Sequence, residues 1–355
     1  MKLLVISLAG IGDTLFATPL IAELRANFPE ATIDALVLWR GSRDVLQGNP
    51  NLNQVYQRNL IAESKASALK FLASLRPQRY DASFNTHPQS RLHYRAVARI
   101  IGARTRISHS YHDSPLLDRL FVNRLVPQDY SKHAVENNLA LLGLYGAKPK
   151  LPKHGYELFL TAAETEWATC FVADHNLGGR KLLGIHVGSG GTKNLALRRW
   201  PLDRYIALIT ELCGARSDLA FLLFGGPEEE KDHQRVKAAT DPRRVFFPPT
   251  KDLRQAAALV KHCHAFLSVD TALMHVAASM KVKGQIVIET PTWNKPIEPY
   301  GNTFELVKNP AVAGRNLEYY RYDGKEIQGT REEIIQGMES VSVASVREVV
   351  LRTLG

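Results

Sequence analysis

Three stretches of the second half carry residue types whose spacing suits the binding of a phosphorylated group. In FLSVDTALMHVAA (266–278) an apolar run stops at Asp270, and Thr271 and His275 follow four apart, on one face of the helix that would begin there. A helix start offers unpaired amides and the positive end of the dipole, so Thr271, the amide of Ala272 and His275 suit an anion such as a diphosphate. An N-cap at Asp270 with a packed histidine accounts for the same residues without a ligand. In HVGSGGTKNLALRRWPLDRY (186–205) a second strand runs into glycines, Ser189, Thr192, Lys193 and the pair Arg198-Arg199. Glycines let backbone approach a ligand, and Lys or Arg neutralises charge on a phosphate leaving group. The pattern departs from a P-loop, since Gly191-Thr192-Lys193-Asn194 lacks the Gly-Lys-Ser/Thr order. In FLLFGGPEEEKD (221–232) a third strand turns at Gly-Gly-Pro, and Glu228 or Glu229 is placed to accept from ribose hydroxyls or simply to open a helix.

The first half offers one comparable loop, SLAGIGDTLFATPLIAEL (7–24). A dinucleotide fingerprint would need glycine where Leu15 stands, and Asp13 would set a negative charge against the pyrophosphate. That disfavours a nicotinamide or flavin cofactor. Two roles remain for Asp13: a helix cap, or a general base that takes a proton from an acceptor hydroxyl.

These loops need strand–helix units to hold them. Strands are expected at 3–8, 32–38, 53–58, 81–86 and 105–110, with helices at 14–27, 62–75, 90–102 and 131–145. After the Pro/Lys/Gly stretch GAKPKLPKHG (146–155) the alternation restarts. Strands follow at 182–187, 220–225, 244–249, 265–269 and 285–289, between helices near 162–176, 203–215, 227–238, 252–262 and 271–280. Such alternation predicts parallel sheets with right-handed crossovers, an α/β chain of two doubly wound domains with ligands at the strands' carboxyl ends. The expected division is residues 1–155, 156–335, and a last segment 336–355 whose helix packs back across the boundary.

Composition agrees with a globular α/β protein: 355 residues, 45% hydrophobic and 23% charged. Cys170, Cys213 and Cys263 form no CxxC or disulfide framework, which points to a reducing, cytoplasmic setting. The opening MKLLVISLAG reads as a buried strand rather than a leader, and no run approaches the length of a membrane span. The net charge of +10 favours anionic partners. Residues 88–133 hold eight Lys/Arg against three acids, and five histidines fall between His87 and His133. Nucleic acid is disfavoured as the partner because only Tyr94 and Tyr111 interleave with the core of that stretch. No cluster has metal-ligand spacing.

Taken in order, Gly10-x-Gly12-Asp13, the Gly188-Ser189 loop leading to Arg-Trp-Pro (188–201), Gly-Gly-Pro-Glu-Glu (225–229) and Ser-Val-Asp-Thr…His-x-Ala-Ala (268–278) resemble glycosyltransferase family 9, the heptosyltransferase type. The resemblance spans nearly the whole chain. It implies the GT-B arrangement, two Rossmann-like domains facing across a cleft, and an inverting, metal-independent transfer with no cofactor. It implies Asp13 as catalytic base, and Ser189, Thr192, Lys193, Arg198, Thr271, the Ala272 amide and His275 on the phosphates. Either Lys193 or Arg198 makes the main phosphate contact. Asp270 would orient the donor, Glu229 would hold the ribose, and Lys251 would stand near the base. The implied donor is ADP-L-glycero-D-manno-heptose, with ADP as product. The implied acceptor is the acidic inner core of lipopolysaccharide at the cytoplasmic membrane face, with Gly12, His87, Arg91 and Arg95 expected on the acceptor side. A GT-B-like transferase or epimerase using another nucleotide sugar is the alternative. Three departures from the family pattern stand out: Ala272 where glycine is usual, a longer loop between Ser189 and Trp200, and Glu289 where a small residue is common.

Overall fold

The computed structural model describes residues 1–89, 91–111, 115–189, 195–291, 295–312 and 330–355. Contacts divide the chain into two units. The first holds Met1–Phe159 and also takes up Lys295–Tyr300; the second begins at Leu160 and ends at Gly355.

The first unit runs β1 (Lys2–Ser7), α1 (Ile11–Asn27), β2 (Thr32–Val37), α2 (Arg40–Leu46), β3 (Gln54–Gln57), α3 (Lys65–Ser74), β4 (Ala82–Asn85), α4 (Leu92–Ile101), β5 (Thr105–Ser110), α5 (Pro115–Phe121), β6 (Arg124–Pro127) and α6 (Ala134–Ala140). Its strands pair in parallel in the order β3-β2-β1-β4-β5-β6. Consecutive strands lie outward from β1 and then outward from β4, so the chain reverses direction across the sheet between β1 and β4. Alternate residues of β1 and β2 face opposite sides. Leu4, Ile6 and Leu36 meet Leu72 of α3 and Val97, Ala98 and Ile101 of α4, while α1 packs with α2 and α6.

Helix α1 is buried from Thr14 to Leu24 even though Pro19 lies inside it. Proline lacks the amide that would bond the Leu15 carbonyl, and the Thr18 hydroxyl donates to that oxygen instead, at 2.8 Å. Glu23 on the same helix is fully buried and accepts from the amides of Lys150 and Leu151 and from His154 Nε2, each at 2.8 Å. Burial alone would raise its pKa, but these donors hold it below the ordinary value. The 146–155 stretch, after which the strand–helix alternation restarts, is thus pinned to α1.

The second unit runs α7 (Ala162–Asp174), β7 (Lys181–His186), α8 (Leu202–Ala215), β8 (Leu219–Phe224), α9 (Glu230–Ala239), β9 (Val245–Phe246), α10 (Leu253–Val260), β10 (Ala265–Ser268), α11 (Ala272–Ser279), β11 (Gly284–Ile288), β12 (Glu305–Val307), α12 (Arg331–Glu339) and α13 (Val343–Leu354). Its parallel order, β12-β11-β10-β7-β8-β9, repeats the topology of the first sheet, with the switch between β7 and β10. The two doubly wound α/β units match the expected fold class. Three short edge strands, β6, β9 and β12, are either absent from the sequence expectation or shorter than it. Helix α13 packs against α8 and β11, its stripe of Val346, Val350 and Leu354 joining that core.

Candidate nucleotide-sugar site

In the second unit the site residues collect at the carboxyl ends of β7, β8 and β10, around the topological switch. The strand cores are fully buried, so each chain must turn out where the apolar run ends.

At the end of β10 the structure moves the helix cap by one residue. Thr271, not Asp270, is the N-cap of α11, its Oγ1 accepting from the Met274 amide at 3.3 Å. The same hydroxyl lies 3.1 Å from His186 Nδ1 at the end of β7. Burial, with Arg199 and His233 nearby, pushes His186 down to about 3, so it stays neutral. Because the cap role falls to Thr271, the Asp270 carboxylate is released to Arg198, whose Nη1 donates to it at 2.9 Å. Both partners are almost inaccessible, at 4% and 11% side-chain exposure, which raises the strength of their attraction and the cost of separating them. Burial raises the Asp270 pKa, and Arg198 opposes the rise. His275 Nε2 sits 4.0 Å from the other Asp270 oxygen. Ala272 opens the helix at its first position, where no preceding turn supplies a carbonyl to its amide.

A residue that the sequence analysis left unassigned ties the other two loops together. Arg199 Nη2 donates to the Ser189 carbonyl at 2.8 Å and to Glu229 Oε1 at 3.1 Å, and its Nη1 donates to Asp232 at 3.1 Å. Glu229 Oε2 in turn accepts from the Gly226 amide at 2.9 Å. Gly188 lies against this carboxylate so closely that a Cβ there would stand 2.3 Å from Glu229 Oε1. The pair Arg198-Arg199 therefore divides its labour, one guanidinium facing Asp270 and the other Glu229. Trp200 fixes the pair: it is buried, its ring meets Tyr205 edge-on at 4.8 Å, and its indole N–H donates to the Val341 carbonyl at 2.9 Å. The signal for Arg199 was present in the sequence as the second cation before Trp-Pro.

The remaining expected residues distribute as follows. Ser189 is buried, with its carbonyl held by Arg199. Thr192 and Lys193 lie outside the described residues. Lys251 is exposed in the turn before α10, and its amide donates to Gln255 Oε1 at 2.9 Å; among the described residues no bond joins it to the network above. Glu289 is buried at the end of β11 and accepts from the Asn309 amide at 2.8 Å, which ties it to the neighbouring loop.

In the first unit, Asp13 stands in the opening turn of α1 beside Gly12, at the sheet's switch point. Its Oδ2 accepts from the Gly10 amide at 2.7 Å, closing the turn and aiming the carboxylate. His87 is buried, its ring nitrogen Nδ1 3.2 Å from the Tyr111 hydroxyl and its amide donating to Asn138 at 2.7 Å. Burial, reinforced by His109 and His133, lowers its pKa well below the ordinary value. Arg91 is exposed at the start of α4. Arg95 is buried and ion-paired to the equally buried Asp118, with its guanidinium 5.5 Å from the Tyr111 ring centre. Its charge is thus matched inside the fold, and of the expected acceptor-side pair only Arg91 presents a solvent-facing cation. Among the described residues no group of three or more His, Cys, Asp or Glu has the geometry of a metal site, and no helix is long and apolar enough to cross a membrane.

Comparison with known proteins agrees with this architecture. The sequence model described as Glycosyltransferase family 9 (heptosyltransferase) matches residues 68–321. Lipopolysaccharide heptosyltransferase 3 of Escherichia coli strain K12 is 24% identical over 354 residues, covering 96% of this chain and 94% of its own. A family 9 glycosyltransferase structure from Veillonella parvula superposes with a TM-score of 0.78 at 19% identity, covering 99% of this chain and 97% of its own. The E. coli heptosyltransferase WaaC, solved with ADP-2-deoxy-2-fluoro heptose, gives a TM-score of 0.72 at 19% identity over 99% of both chains.

Proposed function

The chain belongs to glycosyltransferase family 9, and from that premise we propose that it transfers a heptose from ADP-L-glycero-D-manno-heptose to the acidic inner core of lipopolysaccharide, with inversion and without a metal. The observation that carries this reading is the gathering of Arg198, Asp270, Thr271 and His275 at the β7/β10 switch, beside a carboxylate, Glu229, held in one pose by Arg199 and Gly226. A sugar-nucleotide diphosphate needs both, cations and amides for its phosphates and an acceptor for its ribose hydroxyls. The solved relative that carries an ADP-heptose analogue supports the choice of donor.

In the reaction, Asp13 accepts the proton of the acceptor hydroxyl as that oxygen bonds the anomeric carbon. The bond from this carbon to the phosphate oxygen breaks, and its electron pair leaves with ADP. Arg198, together with the amide-bearing start of α11, neutralises the charge that builds on the departing diphosphate. Attack from the face opposite the leaving group inverts the anomeric centre.

Two measurements test the proposal. ADP should raise the melting temperature far more than UDP or GDP, through mass action on the folded state; a preference for UDP would overturn the donor assignment. Asp13→Ala should lose transfer and still bind ADP, and near-normal turnover by that variant would remove Asp13 as base.

A further inference from the structure

One buried charge near the switch of the second sheet has no part in the transfer described above. Glu289 follows directly on β11, and only 8% of its surface is exposed. Its Oε2 accepts from the Asn309 amide at 2.8 Å. Among the described residues its Oε1 meets only the Lys308 ammonium, 3.7 Å away and beyond hydrogen-bonding distance, on a side chain that is 77% exposed. The Asn309 amide needs a single acceptor, which a neutral side chain would supply without the cost of burying a charge. The second carboxylate oxygen is left over.

Sheet register sets this carboxylate beside the candidate site. Ser268 of β10 pairs with Val287 of β11, and two residues on from each stand Asp270 and Glu289. Leu267, Val269, Ile286 and Ile288 point into the core shared with α8 and α13. By alternation Asp270 and Glu289 turn to the other face, where α11 lies. His275 of α11 sits 4.0 Å from Asp270, and Gln285 of β11 donates to the Met274 carbonyl at 2.7 Å. Two carboxylates thus stand on adjacent strand ends, at one height and on one face.

Charge decides what each can take. Asp270 has its own cation, Arg198 at 2.9 Å. The second oxygen of Glu289 repels phosphate and accepts from a hydroxyl. Along the sheet order β8-β7-β10-β11 the carboxyl edge then offers Glu229 for a ribose, Arg198 and the start of α11 for a diphosphate, and Glu289 for hydroxyls beyond. Three strand spacings, about 14 Å, separate the ends that carry the two glutamates, and a ribose, two phosphates and a second sugar ring fill that span in order. We propose that Glu289 is a specificity-determining residue for the transferred sugar, its Oε1 accepting a hydrogen bond from a hydroxyl of the sugar ring. The inference rests on the donor reading above, a sugar diphosphate held at the β7/β10 switch, and adds the end of β11 to it. Exposed Lys308 offsets the negative charge that Glu289 brings toward a diphosphate.

The test is calorimetric titration of the full chain with ADP and with ADP-L-glycero-D-manno-heptose, no acceptor being present. The parent should bind the sugar nucleotide more tightly than ADP. Glu289→Gln keeps an oxygen for the Asn309 amide and puts an N–H in place of the other. It should bind the sugar nucleotide about tenfold more weakly, with ADP affinity held within about twofold. Glu289→Asp keeps the charge but draws it back; it should shift the same ratio in the same direction, and it serves if Glu289→Gln does not fold. Asn309→Ala is the structural control. It strips the bonds from the Asn309 side chain to the Glu289 and Gly337 carbonyls, so it should lower the melting temperature and leave the ratio of the two affinities unaltered. A parent that gains nothing from the sugar, a ratio in Glu289→Gln equal to the parent's, or an equal change of ratio in Asn309→Ala would each overturn the inference. Preference of the parent for UDP over ADP overturns the donor reading instead, and the same comparison, run with UDP and UDP-glucose, then decides the role of Glu289.

Discussion

Replacing Gly188 by alanine probes the donor-side network through a single methyl group. The new Cβ would stand 2.3 Å from Glu229 Oε1 and 2.6 Å from its Cδ, where ordinary contact begins near 3.4 Å. The carboxylate must retreat by about 1 Å, or the strand end must shift. Retreat breaks the bonds from Arg199 (3.1 Å) and the Gly226 amide (2.9 Å). Both are hydrogen bonds to a charged group, worth about 1.5–3 kcal/mol each, and solvent recovers part of that. We take a net loss of about 3 kcal/mol, which lowers the melting temperature of a unit this size by roughly 6–12 °C. If the Glu229 pose also serves the ribose, ADP affinity falls by up to about 100-fold. Thermal melts and calorimetric ADP titration read the two effects separately. The double variant Gly188→Ala/Glu229→Ala supplies the internal check, because it removes the three atoms nearest the new methyl, all of them Glu229's, and should cost little more than Glu229→Ala alone. An unchanged melting temperature for Gly188→Ala, or strict additivity in the cycle, would refute the reasoning. Affinity for ADP within about threefold of the parent would remove Glu229 from the ligand site.

Further predictions rest on equally specific contacts. Thr271→Ala removes the cap of α11 and the partner of His186, and should destabilise by about 1–2 kcal/mol in urea unfolding; Thr271→Ser should recover most of this. Asp118→Ala strands the buried Arg95 charge and should cost about 3–5 kcal/mol by the same assay, whereas Arg91→Ala on the exposed start of α4 should cost under about 0.5 kcal/mol. Acid should weaken the fold through its buried histidines. His186 is held down to about 3, and His109 and His133 to about 4, against an ordinary 6.5, each chiefly by burial. Below 6.5 the unfolded chain takes up protons that the fold refuses, so stability falls as pH drops toward 4, by up to about 1.4 kcal/mol per pH unit for each group, and is level above that window. At His133 the hydrogen bonds fix the tautomer: Nδ1 accepts from the Val135 amide at 3.0 Å, so the ring's proton sits on Nε2, 2.9 Å from the Glu298 carbonyl. A flat urea midpoint between pH 7 and 5 would contradict this account.

The sequence by itself determined the α/β class, the two doubly wound units and the strand ends where chemistry was to be sought. Long buried strands such as β7 and β8 announce themselves as apolar runs, and the glycines and polar residues after them mark where backbone leaves the core. Local pattern drew β9 too long, at 244–249 against Val245–Phe246, and did not show the three-residue β12, because an edge strand that short is defined by the ladder it joins. Nor could it choose between adjacent side chains. Asp270 and Thr271 are both good caps; the tertiary structure gave the cap to Thr271, since Asp270 has Arg198 as a partner from a loop 72 residues away. Arg198 and Arg199 are chemically identical in the sequence, and only the positions of Asp270 and Glu229 assign them different work. Arg95 and Arg91 looked alike as anion-facing cations until Asp118 was seen buried against one of them. Propensity and periodicity act over a few residues, whereas the partner of a charge is chosen by which strand ends lie side by side, and that is a property of sheet order.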